Sequence, residues 1–157
     1  MSPRSGGCVV IGIGNEFRRD DGIGPAVAAT LAARGAPAVA CAAEPTAILD
    51  AWEGAALAIL VDAVDGTVPG RIRQCTIADL TDCASVSSHD LGVGQTYELG
   101  RALGRTPEAL VVVIVDVADT GHGVGLSPPV AAALPAAVRL VESVLSQQAG
   151  EPADQQS

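Results

Sequence analysis

Three residues in this chain combine reactive side chains with positions where such side chains can work: Asp21, Asp62 and His89. Asp21 lies in the stretch Cys8–Gly24, CVVIGIGNEFRRDDGIG, where a short apolar run breaks at Gly12, Gly14 and Asn15 before a helical pattern begins. Asp62 directly follows the apolar run Leu57–Val61, and His89 stands in SSHDLG, where a helix is expected to start. Two carboxylates and an imidazole from three separate segments can bind a divalent transition metal, with the imidazole as the borderline-soft ligand. The same set can activate water by general base action. Each residue alone has an ordinary use. Asp20 and Asp21 suit the first turn of a helix, Asp62 with Asp65-Gly66 can form a turn, and His89 can cap a helix. Their joint placement favours a site.

Other patterns carry less. Gly12 to Phe17 fails the dinucleotide fingerprint because Phe17 stands at the last glycine position. No G-K-[ST] follows, which excludes a Walker-type phosphate loop. Glu44, after the second strand, can hold a ribose hydroxyl, but that nucleotide-binding alternative lacks its glycine loop. Asp119-Thr120-Gly121 spells the aspartic-protease tripeptide once, in an α/β chain, whereas those enzymes need a carboxylate dyad; it reads as a turn. Ser87 and Ser88 adjoin His89 but point differently, and there is no G-x-S-x-G elbow. His122, between glycines, reads as a loop residue.

The elements that must position the trio follow from periodicity. Cys8–Ile11 is a buried-strand signal, and Ile23, Val27 and Leu31 form one face of a helix that ends at Arg34-Gly35. Val39–Ala43 is a short strand, and Glu44-Pro45-Thr46 opens a short helix through Trp52. Leu57–Val61 reads as a strand buried on both faces, ending in Asp62. Arg71–Ile77 alternates like an edge strand, Thr81–Ser88 is loop, and a glycine-weakened helix runs from His89 to Leu103. Leu110–Val117 is β-branched after Leu110 except at Asp116. Ser127 can cap a last helix, which Pro135 should kink or delay. The order β-α-β-α-β-β-α-β-α predicts a three-layer α/β/α sandwich on a mixed, mostly parallel five-stranded sheet whose fourth strand is antiparallel. Residues 1–146 are expected to form one domain and 147–157 a frayed tail.

Composition narrows the function. Lys and Arg total 9 against 18 Asp and Glu, a formal net charge of -9, which argues against a nucleic-acid surface. Any peptide partner should be neutral or basic where it docks. The four cysteines, Cys8, Cys41, Cys75 and Cys83, show neither C-x-x-C nor zinc spacing, so reduced thiols and a cytoplasmic location are expected. MSPRSGG leads straight into the first strand, leaving no room for a signal peptide. No apolar run approaches the ~20 residues of a membrane helix, so no membrane partner is expected.

GIGNEFRRDDGIG, LVDAVDG, SSHDLG and GLSPPVAAALPAAV together resemble the hydrogenase maturation proteases, from Cys8 to about Leu145 and in the family's order. The resemblance implies a nickel-dependent endopeptidase that trims the C-terminus of a nickel–iron hydrogenase large-subunit precursor; no organic cofactor is expected, and a monomer is the simpler expectation for an oligomeric state the sequence leaves open. Carried over by motif, Asp21, Asp62 and His89 are its metal-contacting and catalytic residues, and the nickel is supplied by the substrate's immature metal centre. Glu16 comes too early in the motif and reads as a loop residue. Gly14, Asn15 and Thr46 are the candidate substrate-binding residues. Neutral His89 is needed for binding, so activity should fall as pH drops through roughly 6.5. Two segments depart from the family pattern, Ala43-Glu44-Pro45-Thr46 and the loop Val117–Gly125, and both concern substrate identity more than catalysis. The alternative is a non-catalytic, metal-binding accessory protein on the same fold.

Overall fold

A computed structural model describes residues 7–76 and 92–155. Strand β1 (Gly7–Ile13) leads through a single 3-10 turn (Arg19–Gly22) into α1 (Ile23–Ala33). Then follow β2 (Ala38–Cys41), α2 (Pro45–Trp52), β3 (Ala55–Asp65), β4 (Ile72–Thr76), α3 (Gly92–Leu103), β5 (Ala109–Val117) and α4 (Pro128–Gln155). The five strands form one sheet in the order β2-β1-β3-β5-β4. All pairs are parallel except β4 with β5.

The sheet is covered on both faces, which is why its central strands are continuously apolar. One face carries Ile11, Leu60 and Val112 against Ile48, Leu49 and Trp52 of α2 and Val93 of α3. The other carries Val10, Ile59, Val61 and Val113 against Val27 and Leu31 of α1 and Val138 and Val141 of α4. With a single Trp, Phe and Tyr in the chain, the core is built almost wholly from aliphatic side chains. Trp52 is the exception: it is fully buried, and its indole N–H donates to the Arg105 carbonyl at 2.9 Å.

Several boundaries differ from those read in the sequence. β3 does not end at Asp62 but runs on to Asp65. The reason is its neighbour: β5 pairs with it as far as Asp65↔Val117, while β1 stops pairing at Gly12↔Val61. Asp62 is therefore the first β3 residue without a β1 partner. α4 continues through Pro135 and past Gln147 to Gln155. Its part Pro128–Gln147 is long and apolar enough to cross a membrane by length and composition, contrary to the sequence reading. Val130, Ala137, Val138, Val141 and Val144 spend that apolar character inside the core. The expected loop Thr81–Ser88, and His89 and Cys83, lie outside the described residues.

Candidate active site

The chain leaves β1 through α1 to β2 on one side, then returns through α2 to β3 on the other. This reversal opens a crevice at the carboxyl ends of β1 and β3, the position where ligands bind in open α/β sheets. Both described members of the predicted trio come to it. Asp62 points from β3 on the α2/α3 face, and Asp21 arrives on the turn after β1.

Asp21 is held by the loop in front of it. The Asn15 N–H donates to its Oδ2 at 2.8 Å, and the Asn15 Oδ1 accepts the Phe17 N–H at 2.9 Å. Gly14 explains how the turn comes so near: its φ is +148°, and a Cβ there would collide with the backbone carbonyl of Asp21. Gly12 and Gly24 do the same one layer below, where a Cβ on Gly12 would strike the Gly24 carbonyl and one on Gly24 would strike the carbonyls of Ile13 and Val61. The glycines let α1 press its start against the sheet and carry Asp21 to the crevice.

Asp62 is 8% exposed. Burial, opposed by the Ala63 N–H at 2.9 Å and reinforced by the negative charge of Asp21, pushes its carboxyl up to about 7. A carboxyl that binds a proton this firmly is displaced far from ordinary surface behaviour, as happens at functional sites. Among the described residues no group of three His, Cys, Asp or Glu is set to hold a metal ion; the described chain brings two carboxylates, and His89 is not among those residues.

Asp20 has a different job from its neighbour. Its side chain is wholly buried and accepts four hydrogen bonds: from the Ser127 N–H (2.6 Å) and hydroxyl (2.8 Å), the Asp119 N–H (3.1 Å) and the Ala118 N–H (3.3 Å). Burial alone would raise its pKa, but these donors outweigh it and hold the carboxyl below its ordinary value. Ser127 stands just before α4, where its carbonyl accepts the Ala131 N–H at 2.8 Å, while its hydroxyl donates to Asp20. Further bonds fasten the two loops together. Arg18 Nε donates to the Thr120 carbonyl at 3.0 Å and Arg19 Nε to the His122 carbonyl at 3.2 Å. Arg19, with φ of 48°, takes a left-handed backbone that its N–H bond to the Gly123 carbonyl (2.9 Å) stabilises. Asp119-Thr120-Gly121 is indeed a turn, closed by the Gly121 N–H on Asp119 Oδ1 at 3.1 Å.

Asp21 and Arg18 together separate two cavities. A groove of about 640 Å³ runs from them past Gly14, Asn15, Glu16 and Phe17 to the end of β2 and the segment Ala42–Glu44. A smaller pocket of about 160 Å³ lies on their other side, against Ala63, Val64, Asp65 and Thr120. Gly14 and Asn15 line the groove; Thr46 is exposed in the first turn of α2, beyond the lining. Glu16 and Glu44 do line it. Burial and the Glu44 charge push the Cys41 thiol up, away from nucleophilic use. A third buried carboxylate, Asp116, which stood out in the sequence only as the polar break in the β5 run, is paired on the Asp62 face of the sheet with Arg73 at 2.7 Å.

Fold and site define a doubly wound α/β protein with a carboxylate pair at the switch point of its sheet. A family model described as hydrogenase maturation protease matches residues 43–144. The chain belongs to that family, and it is a hydrogenase maturation endopeptidase. No curated protein matches the sequence. Solved structures share the fold. The hydrogenase maturating endopeptidase HybD from E. coli is 22% identical with a TM-score of 0.73, over 90% of this chain and 93% of that one. The nickel–iron hydrogenase maturation protease HybD from Thermococcus kodakarensis is 21% identical with a TM-score of 0.76, over 88% and 99%. The hydrogenase 2 maturation peptidase from a Thaumarchaeota archaeon is 26% identical with a TM-score of 0.65, over 88% and 97%.

Proposed function

We propose that this enzyme removes a C-terminal peptide from the nickel-loaded precursor of a nickel–iron hydrogenase large subunit, with Asp21, Asp62 and His89 as the residues that dock the nickel. The observation that carries this reading is the buried carboxyl of Asp62, raised by its burial and further by the negative charge of Asp21 beside it at the crevice. Two carboxylates that repel each other in a partly dry site gain most from a cation between them.

The nickel is the substrate's own metal centre and contributes Lewis-acid polarisation and a fixed point near the scissile bond. The chain's residues do the rest. Asn15 fixes one oxygen of Asp21, leaving the other free to face the substrate. Asp62 gives up its proton as the cation arrives. His89, three residues before α3, adds a neutral imidazole from a third segment. Docking in this way turns attack by water on the peptide bond into a reaction between positioned groups. The acidic protein works in the cytoplasm as a monomer, and its protein partner is the hydrogenase precursor.

The test is to mix purified enzyme with nickel-loaded precursor and follow loss of the C-terminal peptide as a mobility shift. Cleavage by wild type, and its loss in Asp21→Ala, Asp62→Ala and His89→Ala with melting behaviour that still reports a folded protein, is the expected result. Normal processing by all three variants would sink the site assignment. Stable co-elution with uncut precursor would instead mark an accessory protein.

A further inference from the structure

Asp21 and Arg18 line both cavities of the crevice, so a peptide crossing them must lie in the groove on one side and reach the pocket on the other. The two spaces differ in kind. The groove, at about 640 Å³, falls inside the roughly 300–1,000 Å³ range of sites that hold a sizeable ligand. The pocket, at about 160 Å³, falls below that range and has room only for a small group beside Asp21 and Asp65. We propose that the groove between the Asn15–Arg18 loop and the end of β2 holds the C-terminal extension of the precursor, in extended form, while the metal-bearing side of the scissile bond sits at the Asp21–Asp62 end. This inference rests on the endopeptidase reading given above.

Three features of the groove fit such an occupant. Its floor is made of small residues, among them Gly14, Pro25, Ala29 and Ala40, which leave a low, open channel rather than a shaped pocket for one side chain. One wall is β2, the edge strand of the sheet, so an extended peptide meets backbone there as well as side chains. The lining carries three carboxylates, Glu16, Asp21 and Glu44, against one guanidinium, Arg18, whose Nε is already committed to the Thr120 carbonyl. The excess of negative charge selects an extension that is neutral or basic near the cut. Phe17, 62% exposed at the groove's rim, offers an apolar surface for a side chain of the same segment.

Ala43 and Glu44 are exposed in the short connection between β2 and α2, so substitutions there spare the core. Ala43→Trp and Glu44→Lys should each lower kcat/KM on nickel-loaded precursor tenfold or more. A synthetic peptide with the sequence of the removed extension should inhibit wild type, and should inhibit Ala43→Trp at least tenfold less well. Mature large subunit lacking the extension should bind wild type and Ala43→Trp equally. Wild-type rates in both variants, no inhibition by the peptide, or loss of mature-subunit binding in Ala43→Trp would each overturn the inference. If either variant fails to fold, peptide inhibition of the wild type still decides. Asp21→Ala, Asp62→Ala and His89→Ala, run in parallel, separate the two levels: normal cleavage by all three removes the endopeptidase site itself, whereas their inactivity beside active groove variants removes only the placement of the extension.

Discussion

The N–H and the hydroxyl of Ser127 both end on the carboxylate of Asp20, 107 residues earlier in the chain, at 2.6 and 2.8 Å. With the Ala118 and Asp119 N–H groups they make one buried anion the tie between the loop after β1 and the loop before α4. Asp20→Ala leaves these donors without an acceptor inside the protein and should cost about 3–5 kcal/mol, the range for breaking a buried charged network. Ser127→Ala removes one donor and should cost about 1–2 kcal/mol. Because the folded-state pKa of Asp20 is depressed, its contribution is present above the ordinary carboxylate value and is lost as pH falls below it. Urea unfolding of wild type and Asp20→Ala should therefore differ widely at pH 7 and converge at strongly acid pH. Equal stabilities at pH 7 would refute the tie.

The adjacent pair Asp20-Asp21 shows what the sequence could and could not disclose. Layer order, the parallel sheet and the antiparallel fourth strand followed from the alternation of apolar runs and helical faces, because those patterns record burial directly. That Asp21 belongs to the crevice also followed, since the motif sets it just past a strand. Nothing local distinguished Asp20, because its four donors lie about a hundred residues away. Asp62 was placed at a strand end. β3 outlasts β1 only because β5 continues to pair with it, a fact of sheet register that one strand's sequence does not contain. The segment Ala43–Thr46 was read as bearing on substrate identity, but how Glu44 comes to wall a groove depends on β2 being set beside β1, which is again a matter of register.

Gly24 is the place to test how the helix start delivers Asp21. A methyl group there meets the carbonyls of Ile13 and Val61, backbone atoms of two strands that have no room to move. Gly24→Ala should lower stability by about 1–3 kcal/mol, the cost of overpacking a tight interior, and should push α1 off the sheet, reducing cleavage beyond what the lost stability explains. Gly35→Ala is the comparison: a Cβ there meets nothing within 4 Å, although its φ of +90° carries a backbone penalty. A thermal melt with a parallel cleavage assay reads both effects. Full activity in Gly24→Ala would show that Asp21 is positioned by some other means.

A cation that docks between Asp21 and Asp62 must replace the proton that Asp62 retains near neutrality. At pH 6, below the value of about 7 to which Asp62 is raised, docking should release close to one proton from this group. At pH 8.5 the carboxyl is already ionised and the release should fall toward zero. Titration calorimetry with nickel(II), repeated in buffers of different ionisation enthalpy on wild type and His89→Ala, counts those protons apart from any that the imidazole releases. A release that does not change with pH would separate Asp62 from the docking step.

Asp62→Asn separates what the residue does for function from what it costs the fold. The native carboxyl binds its proton more tightly than the unfolded one, whose value is near 3.8. Between those two values the folded state holds the extra proton, so stability falls as pH rises across the window and levels off above about 7. Each pKa unit corresponds to about 1.4 kcal/mol, so the ionised carboxylate withholds on the order of 4 kcal/mol at most. Asn keeps an oxygen for the Ala63 N–H but never ionises. The variant should therefore be more stable than wild type at pH 8, by up to a few kcal/mol, and nearly equal to it at pH 4. It should also be inactive on nickel-loaded precursor. Melts at the two pH values decide the stability half, and the mobility-shift assay decides the other. A variant that is inactive yet no more stable at pH 8 would mean that the carboxylate is already compensated in the free protein, and that Asp62 carries no stored strain into docking.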